Sequence, residues 1–180
     1  MGCHPCEPFM LPTVKNILYL TDLSKNASQV FRYALQLAKT FEGRITILHV
    51  LKNIDPAMEV PILIRMGETA YQGLVKERED EIIDGILERL KAFLRKELRE
   101  DPDESGLVAS IYVHEGDPVS EILDTADRID CDILVMGDHS KGRLAYTFLG
   151  STVEKVLRRS RRPVLVVPIS AKDDPEASSV

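Results

Sequence analysis

Short apolar runs that alternate with amphipathic stretches restrict the fold of this chain more than any other feature. Each run is bounded by polar residues and reads as a strand buried on both faces. The runs are residues 14–20, 44–50, 107–113, 132–136 and 163–168. Strands that alternate with helices in this way predict the α/β class, with a parallel sheet that carries helices on both faces.

The helix after the first run has recognisable start and stop signals. Asn26 followed by Gln29 has the spacing of a capping box, and Gly43 is placed to end the helix. The helical face that we expect to pack on the sheet is formed by Val30, Ala34, Leu37, Ala38 and Phe41.

The second helical stretch runs from about residue 68 to residue 100 and ends before Pro102. Gly73 and Gly85 leave open whether it is one helix or two. Its opposite face is charged, so the apolar stripe is expected to pack on the sheet or on a partner. That stripe consists of Ile83, Leu87, Leu90, Leu94 and Leu98.

Two shorter helices complete the pattern. Asp117 followed by Pro118 is typical of an N-cap residue and the first helical position. The last helix is predicted over residues 152–159, with Val153, Val156 and Leu157 facing inward.

The length of 180 residues fits one domain. We expect a flexible N-terminus over residues 1–12, a folded domain over residues 13–169 and a disordered tail over residues 170–180. Residues 52–67 form an unusually long connection, which is typical of a lid or a partner contact.

Composition excludes several kinds of function. The net charge of −6 disfavours general binding to nucleic acid, and no apolar run is long enough to form a membrane-spanning helix. Cys3, Cys6 and Cys131 are too few for a disulfide framework, which favours a reduced cytoplasmic protein. Cys3 and Cys6 lack a second pair of ligands for a metal site, and Cys131 should pack as a small apolar residue.

In open parallel sheets, ligands bind beyond the carboxyl ends of the strands, where the strand order reverses. The positions to inspect are therefore Asp22, the pairs Val50–Leu51 and Glu115–Gly116, and the segment that begins at Gly137. Asp22 also fits an Asx-turn before the first helix, and the two roles are compatible. His49, which ends a strand, is expected to be a hydrogen-bonded structural residue.

The segment from Gly137 to Thr152 carries the strongest local signal. It starts at a strand end and finishes at a helix start, where free N–H groups near Ser151 and Thr152 form a ready anion site. Lys141 and Arg143 add positive charge. The alternative is a turn whose glycines only relieve strain. A P-loop is excluded, because Arg143 and the following leucine replace its lysine and hydroxyl residue.

This segment resembles the spacing Gly-x2-Gly-x9-Gly-Ser/Thr of the nucleotide-binding branch of the universal stress protein family. Gly137 and Gly150–Ser151 match it, whereas Ser140 replaces the middle glycine. Flanking residues are also similar to that family over about residues 14–168. They are Ile17–Ser24, Leu48–Val50, Gly116–Pro118, Asp132–Gly137 and Pro163–Pro168.

The resemblance implies a doubly wound, five-stranded parallel sheet in the order 3-2-1-4-5. Asp22 and Gly137 would then face each other across one crevice, in agreement with the switch-point argument. It also implies a bound adenine nucleotide: ATP, ADP or AMP, with Mg²⁺. The resemblance implies Leu20, Asp22 and Val50 at the adenine and ribose end, Met136 and Gly137 in the middle, and Ser140, Gly150, Ser151 and Thr152 at the phosphates. The remaining candidates come from the residues themselves: Thr21 adjoins Asp22, Lys141 and Arg143 supply charge, and Gly142 offers the flexibility that Ser140 lacks. His139 fits either a phosphate contact or a solvated loop histidine.

The function expected from the sequence is that of a cytoplasmic, nucleotide-dependent regulatory dimer. The apolar edge strand Val164–Val167 favours pairing with a second copy, as the family resemblance also implies. Two alternatives stay open. One is a slow ATP hydrolase that uses Asp22, Asp138 or His139, although no catalytic triad is visible. The other is a nucleotide-free interaction module with an unknown protein partner, which the serine at position 140 favours.

Overall fold

The computed structural model describes residues 12–51, 68–138 and 149–169, with residues 68–79 described by their backbone alone. The strands are β1 (Asn16–Leu20), β2 (Arg44–Leu51), β3 (Val108–Glu115), β4 (Ile133–Gly137) and β5 (Val164–Val167). All neighbours pair in parallel in the order β3-β2-β1-β4-β5. The expected fold class and strand order are confirmed, with strand ends shifted by a residue or two.

Helices cover both faces of this sheet. They are α1 (Ala27–Phe41), α2 (Glu68–Leu98), α3 (Pro118–Arg128) and α4 (Ser151–Arg159). Helices α1 and α2 pack on one face and α3 and α4 on the other. The central strand β1 serves both cores, because alternate side chains of a strand point to opposite faces. Ile17 and Tyr19 are buried under α1 and α2, whereas Leu18 and Leu20 are buried under α3 and α4.

The start of α1 differs from the sequence prediction. Asn26 has φ −92° and ψ 2° and makes no side-chain cap hydrogen bond. A capping side chain needs a more extended backbone at that position, so the predicted capping box is wrong. The Gln29 side chain is instead used in a long-range contact, in which its Nε2 donates to the Pro168 carbonyl at 3.3 Å.

The end of α1 depends on Gly43 for a reason other than its backbone freedom. Glu42 is the residue that adopts the left-handed conformation, with φ 51°. A Cβ at Gly43 would lie 2.8 Å from the Lys15 carbonyl oxygen. The glycine therefore allows the chain to pass close to the residue that precedes β1.

The buried helix faces are narrower than the sequence pattern indicates. Phe41 is 44% exposed and Leu157 is 41% exposed, so both were wrongly assigned to the core. Each lies on the last turn of its helix, where helical rotation moves it to the margin of the sheet. Helix α2 is continuous through Gly85, and its buried stripe includes Ile86, which the sequence prediction omitted.

Helix α3 starts as predicted. The Asp117 carboxylate accepts hydrogen bonds from the Ser120 N–H and the Ser120 hydroxyl, both at 3.0 Å. The backbone bond from Ser120, with the side-chain bond next in importance, holds the pKa of Asp117 below its ordinary value. This helix therefore carries its own anion at its N-terminus.

Cys131 packs as the sequence predicts. Its side chain is fully buried, and burial raises the pKa of the thiol to about 11. Cys3 and Cys6 lie outside the described residues. Within the described ranges, none of the helices combines the length and apolar character needed to cross a bilayer.

Candidate functional site

A cavity of about 260 Å³ opens at the carboxyl ends of β1 and β4, where the strand order reverses. Nine of the residues that the sequence placed in the site line this cavity. They are Leu20, Thr21, Asp22, Val50, Met136, Gly137, Gly150, Ser151 and Thr152. The five others, His139, Ser140, Lys141, Gly142 and Arg143, lie outside the described residues. The fold thus brings together segments that are more than a hundred residues apart in the chain.

The loop after β1 is held in place by short-range hydrogen bonds. Asp22 Oδ1 accepts from the Ser24 N–H at 3.0 Å, which confirms the Asx-turn. Thr21 Oγ1 accepts from the Leu23 N–H at 3.1 Å, and Leu23 has φ 57°. Asp22 itself is exposed. Its carboxylate is therefore fixed by the turn and remains accessible to a ligand in the cavity.

His49 fixes the neighbouring wall. Its Nδ1 lies 2.8 Å from the carbonyl oxygen of Thr21, and the Thr21 N–H donates to the Leu48 carbonyl at 3.0 Å. Because a carbonyl only accepts, Nδ1 carries the proton, and in the neutral ring Nε2 is an acceptor. The prediction of a hydrogen-bonded structural histidine is confirmed, although His49 also lines the cavity.

Apolar side chains from both cores form the sides of the cavity, and the sequence analysis did not name them as site residues. Ala27 and Val30 of α1 contribute from one face of the sheet. Leu48, Ile122 and Val153 contribute from the other. An apolar slot with a few polar groups at its ends is the usual form of a small-molecule site.

The N-terminus of α4 supplies hydrogen-bond donors at one end of the slot. Its first intrahelical bond runs from the Glu154 N–H to the Gly150 carbonyl at 3.0 Å. The N–H groups of Ser151, Thr152 and Val153 therefore have no carbonyl partner within the helix. Gly150 has no side chain to cap them, in contrast to Asp117 at the start of α3.

A second cavity of about 440 Å³ adjoins the first. The two share Pro118, Ser151 and Thr152, and the second reaches Lys155 on the next turn of α4. The donors of α4 thus lie between an apolar slot and a space lined by the cationic Lys155 and by the Asp117 carboxylate, which already accepts the hydrogen bonds from Ser120. The α4 donors and Lys155 suit an anionic group attached to a flat apolar one.

Asp138 connects the segments around the cavity. Its carbonyl accepts from the Gly150 N–H at 2.8 Å, and its own N–H donates to the Val167 carbonyl at 3.0 Å. Its Oδ1 accepts from the Ile169 N–H at 3.1 Å. These bonds fix the relative positions of the end of β4, the end of β5 and the start of α4.

The glycines of the predicted motif do not act through a left-handed backbone. Gly137 has no positive φ, and Gly150 has φ −58°. A Cβ at position 137 would instead lie 2.6 Å from Ile169 Cδ1 and 3.3 Å from Val30 Cγ2. A side chain at position 137 is therefore disfavoured by the packing of Ile169 and Val30 and not by the backbone conformation.

The fold and this crevice define an open, doubly wound α/β protein with a ligand cavity at its switch point. Residues 13–168 match the family model described as the universal stress protein family. That match covers most of the chain, which therefore belongs to the universal stress protein family.

Sequence similarity to individual stress proteins agrees with this assignment. The chain is 28% identical over 153 residues to universal stress protein MJ0577 of Methanocaldococcus jannaschii, covering 85% of this chain and 94% of that protein. It is 29% identical over 163 residues to the stress response protein NhaX of Bacillus subtilis, covering 84% and 96% respectively. Most of each protein is aligned, so the similarity concerns whole domains.

Solved structures show the same fold. The structure of MJ0577 aligns with a TM-score of 0.65 and 26% identity, covering 88% of this chain and 98% of that one. Universal stress protein UspA of Lactobacillus plantarum aligns with a TM-score of 0.60 and 21% identity, covering 86% and 98% respectively. At 21% identity, the second comparison concerns the fold alone.

Proposed function

We propose that this universal stress protein binds ATP, ADP or AMP in the cavity between β1 and β4 and acts as a nucleotide-dependent regulatory dimer in the cytoplasm. One observation carries the proposal. The exposed carboxylate of Asp22 and the first N–H groups of α4, which Gly150 has no side chain to cap, lie at the margins of one apolar cavity. A nucleoside phosphate has a flat base, sugar hydroxyls and an anionic end, and each would find a matching group there.

The base and sugar fit the first cavity. Its volume of about 260 Å³ is just below the range of typical ligand pockets, roughly 300–1,000 Å³, and the second cavity continues from it. The apolar walls formed by Val30, Leu48 and Ile122 suit a purine ring. Asp22 is the carboxylate among the described lining residues, and a carboxylate is a strong acceptor for sugar hydroxyls.

The phosphates would extend along the start of α4. The N–H groups of Ser151, Thr152 and Val153 and the positive end of the helix dipole favour an anion there. Lys155 adds charge at the margin of the second cavity. Residues 139–143 are expected from the sequence to take part. Mg²⁺ would be held chiefly by phosphate oxygens and water, since no cluster of metal-ligating side chains occurs in the described part of the chain.

Hydrolysis of ATP and a nucleotide-free role are the alternatives. Asp138 is a poor candidate for a general base, because it is not among the residues that line the cavity and its Oδ1 holds the Ile169 N–H. Asp22 is fixed in an Asx-turn. Calorimetry with ATP, ADP and AMP separates the proposals: no heat at millimolar ligand would favour an interaction module, and efficient turnover would favour an enzyme.

Replacing Asp22 with Asn is expected to weaken ATP binding about tenfold to one hundredfold, because a hydrogen bond to a charged group contributes about 1.5–3 kcal/mol. The Asn side-chain oxygen still accepts the Ser24 N–H, so the turn is retained. Isothermal titration calorimetry measures the effect. The matched control is Asp124→Asn, an exposed aspartate of α3 that does not line the cavity. Equal affinity of Asp22→Asn and wild-type protein would contradict the proposed contact.

The dimer would form through β5, which lies at one edge of the sheet. Val164, Leu165 and Val166 are only half-buried in the single chain, and an apolar edge strand favours pairing with another copy. Sedimentation velocity at micromolar concentration is expected to show a dimer. A monomer across that range would argue against the regulatory dimer and would leave the nucleotide site intact.

A further inference from the structure

We propose that Ile169, held in place by Asp138, forms a wall of the nucleotide site that limits which groups the sugar of the ligand can carry. This inference rests on the nucleotide function proposed above. It concerns a residue that follows β5 and lies one position beyond the part of the chain that matches the family model.

Ile169 is packed into the site rather than turned towards solvent. Its side chain is 8% exposed and lines the cavity together with Val30 and Gly137. Ile169 Cδ1 lies 2.6 Å and Cγ1 3.3 Å from the position that a Cβ at Gly137 would take. The side chain of Ile169 therefore occupies the space that the glycine leaves open.

Three hydrogen bonds fix the segment that carries this side chain. The Ile169 N–H donates to Asp138 Oδ1 at 3.1 Å, and the Val167 carbonyl accepts from the Asp138 N–H at 3.0 Å. Between them, the Pro168 carbonyl accepts from Gln29 Nε2 of α1 at 3.3 Å. The segment that carries Ile169 is thus tied to the residue after β4 and to α1.

The location of Ile169 determines which part of the ligand it meets. In the proposed orientation the base and sugar lie towards Asp22 and the phosphates towards Ser151. In that orientation Gly137 would lie between the two ends of the ligand, and the side chain of Ile169 packs against Gly137. A nucleotide that passes Gly137 would contact Ile169 with its sugar. The size of the Ile169 side chain would therefore limit the size of the substituents that the sugar hydroxyls can carry.

The test compares ATP with 2′-O-methyl-ATP and 3′-O-methyl-ATP on full-length wild-type protein and on Ile169→Ala, by calorimetry. One misplaced methyl group in a close-packed pocket changes affinity by about tenfold or more. The wild-type protein is expected to bind at least one methylated nucleotide about tenfold more weakly than ATP. In Ile169→Ala, the ratio of the affinities for ATP and for that nucleotide is expected to fall by about tenfold. A preference that Ile169→Ala leaves unchanged would overturn the role of Ile169.

Matched variants separate this role from general effects. Asp138→Ala removes the acceptor for the Ile169 N–H and should relax the preference in the same direction, whereas Asp138→Asn keeps an acceptor oxygen and should retain more of it. Leu157→Ala truncates an exposed apolar residue of α4 outside the cavity and should leave the preference unchanged. A relaxation as large in Leu157→Ala as in Ile169→Ala would also overturn the proposal.

The packing on Gly137 can be tested without any nucleotide. Gly137→Ala should lower the melting temperature, because its Cβ would meet Ile169 Cδ1, and Ile169→Ala in the same chain should recover part of that loss. If the melting-temperature losses of the two single variants simply add in the double variant, the two side chains do not compete for the same space.

The failure of this inference can be told from the failure of the nucleotide function. Failure of the wild-type protein to bind ATP would overturn the nucleotide function. ATP binding with the same preference for ATP over the methylated nucleotides in wild-type protein and Ile169→Ala would overturn only the role of Ile169.

Discussion

Replacing Ser151 with Asp is expected to weaken ATP binding by about one hundredfold or more, with no loss of stability. The new carboxylate would lie at the first position of α4, among the N–H groups proposed to hold phosphate. Two like charges about 4 Å apart repel by roughly 4 kcal/mol near a protein surface. The same carboxylate interacts favourably with the helix dipole, by about 0.3–1 kcal/mol, so binding and stability should change in opposite directions.

The matched control for this substitution is Ser28→Asp. Ser28 is the second residue of α1, a helix with no acidic residue in its first turn, and it does not line the cavity. Ser28→Asp should therefore have a similar effect on unfolding and leave ATP affinity unchanged. Calorimetry and thermal denaturation of both variants provide the comparison. Strong ATP binding by Ser151→Asp would show that phosphate does not lie at the start of α4.

Replacing Phe31 with Ala is expected to lower the free energy of unfolding by about 3–5 kcal/mol, the usual cost of truncating a fully buried aromatic side chain. Phe31 is fully buried, with ring centroids 5.3 Å from Tyr19 of β1 and 5.5 Å from Phe93 of α2. It joins both helices of this face to the central strand. The loss should also affect the site, because Ala27 and Val30 of the same helix line the cavity.

Tyr33→Ala is the matched control for Phe31→Ala. Tyr33 lies on the same helix but is 52% exposed, so its truncation should change stability by no more than about 0.5 kcal/mol. Urea denaturation of both variants gives the two free energies. Similar losses in the two variants would contradict the description of Phe31 as the residue that joins α1, α2 and β1.

The parts of the fold and site that the sequence predicts are those set by local pattern. Apolar runs locate the strands, whereas the order that places the switch point between β1 and β4 was implied by the family resemblance. The residues that follow the strands are the candidates for a site, because ligands in such sheets bind beyond the carboxyl ends of the strands. Asp22 and Gly137 were identified in this way, and both line the cavity. Asp117 was recognised from its proline neighbour, since an N-cap involves only residues that are adjacent in sequence.

The parts that could not be predicted depend on contacts between distant segments. Nothing near Gly137 in the sequence indicates that Ile169 packs against it, or that Asp138 holds Ile169 there. Gln29 has the spacing of a capping residue, yet its side chain bonds to Pro168, which is 139 positions away. Tertiary contacts override local preference at such positions. The hydrophobic period also does not determine the width of a buried helix face: Phe41 fits the apolar stripe of α1 and is nevertheless exposed.

Chemical-shift mapping of the isotope-labelled protein during an ATP titration tests the central claim most directly, because it reports where the nucleotide binds. We expect saturable shifts concentrated at Asp22, Val50, Gly137 and the amides of Ser151 and Thr152, with little change along α2. An unaltered spectrum at millimolar ATP, or shifts confined to residues away from the β1–β4 crevice, would contradict the assignment of this cavity as an adenine-nucleotide site.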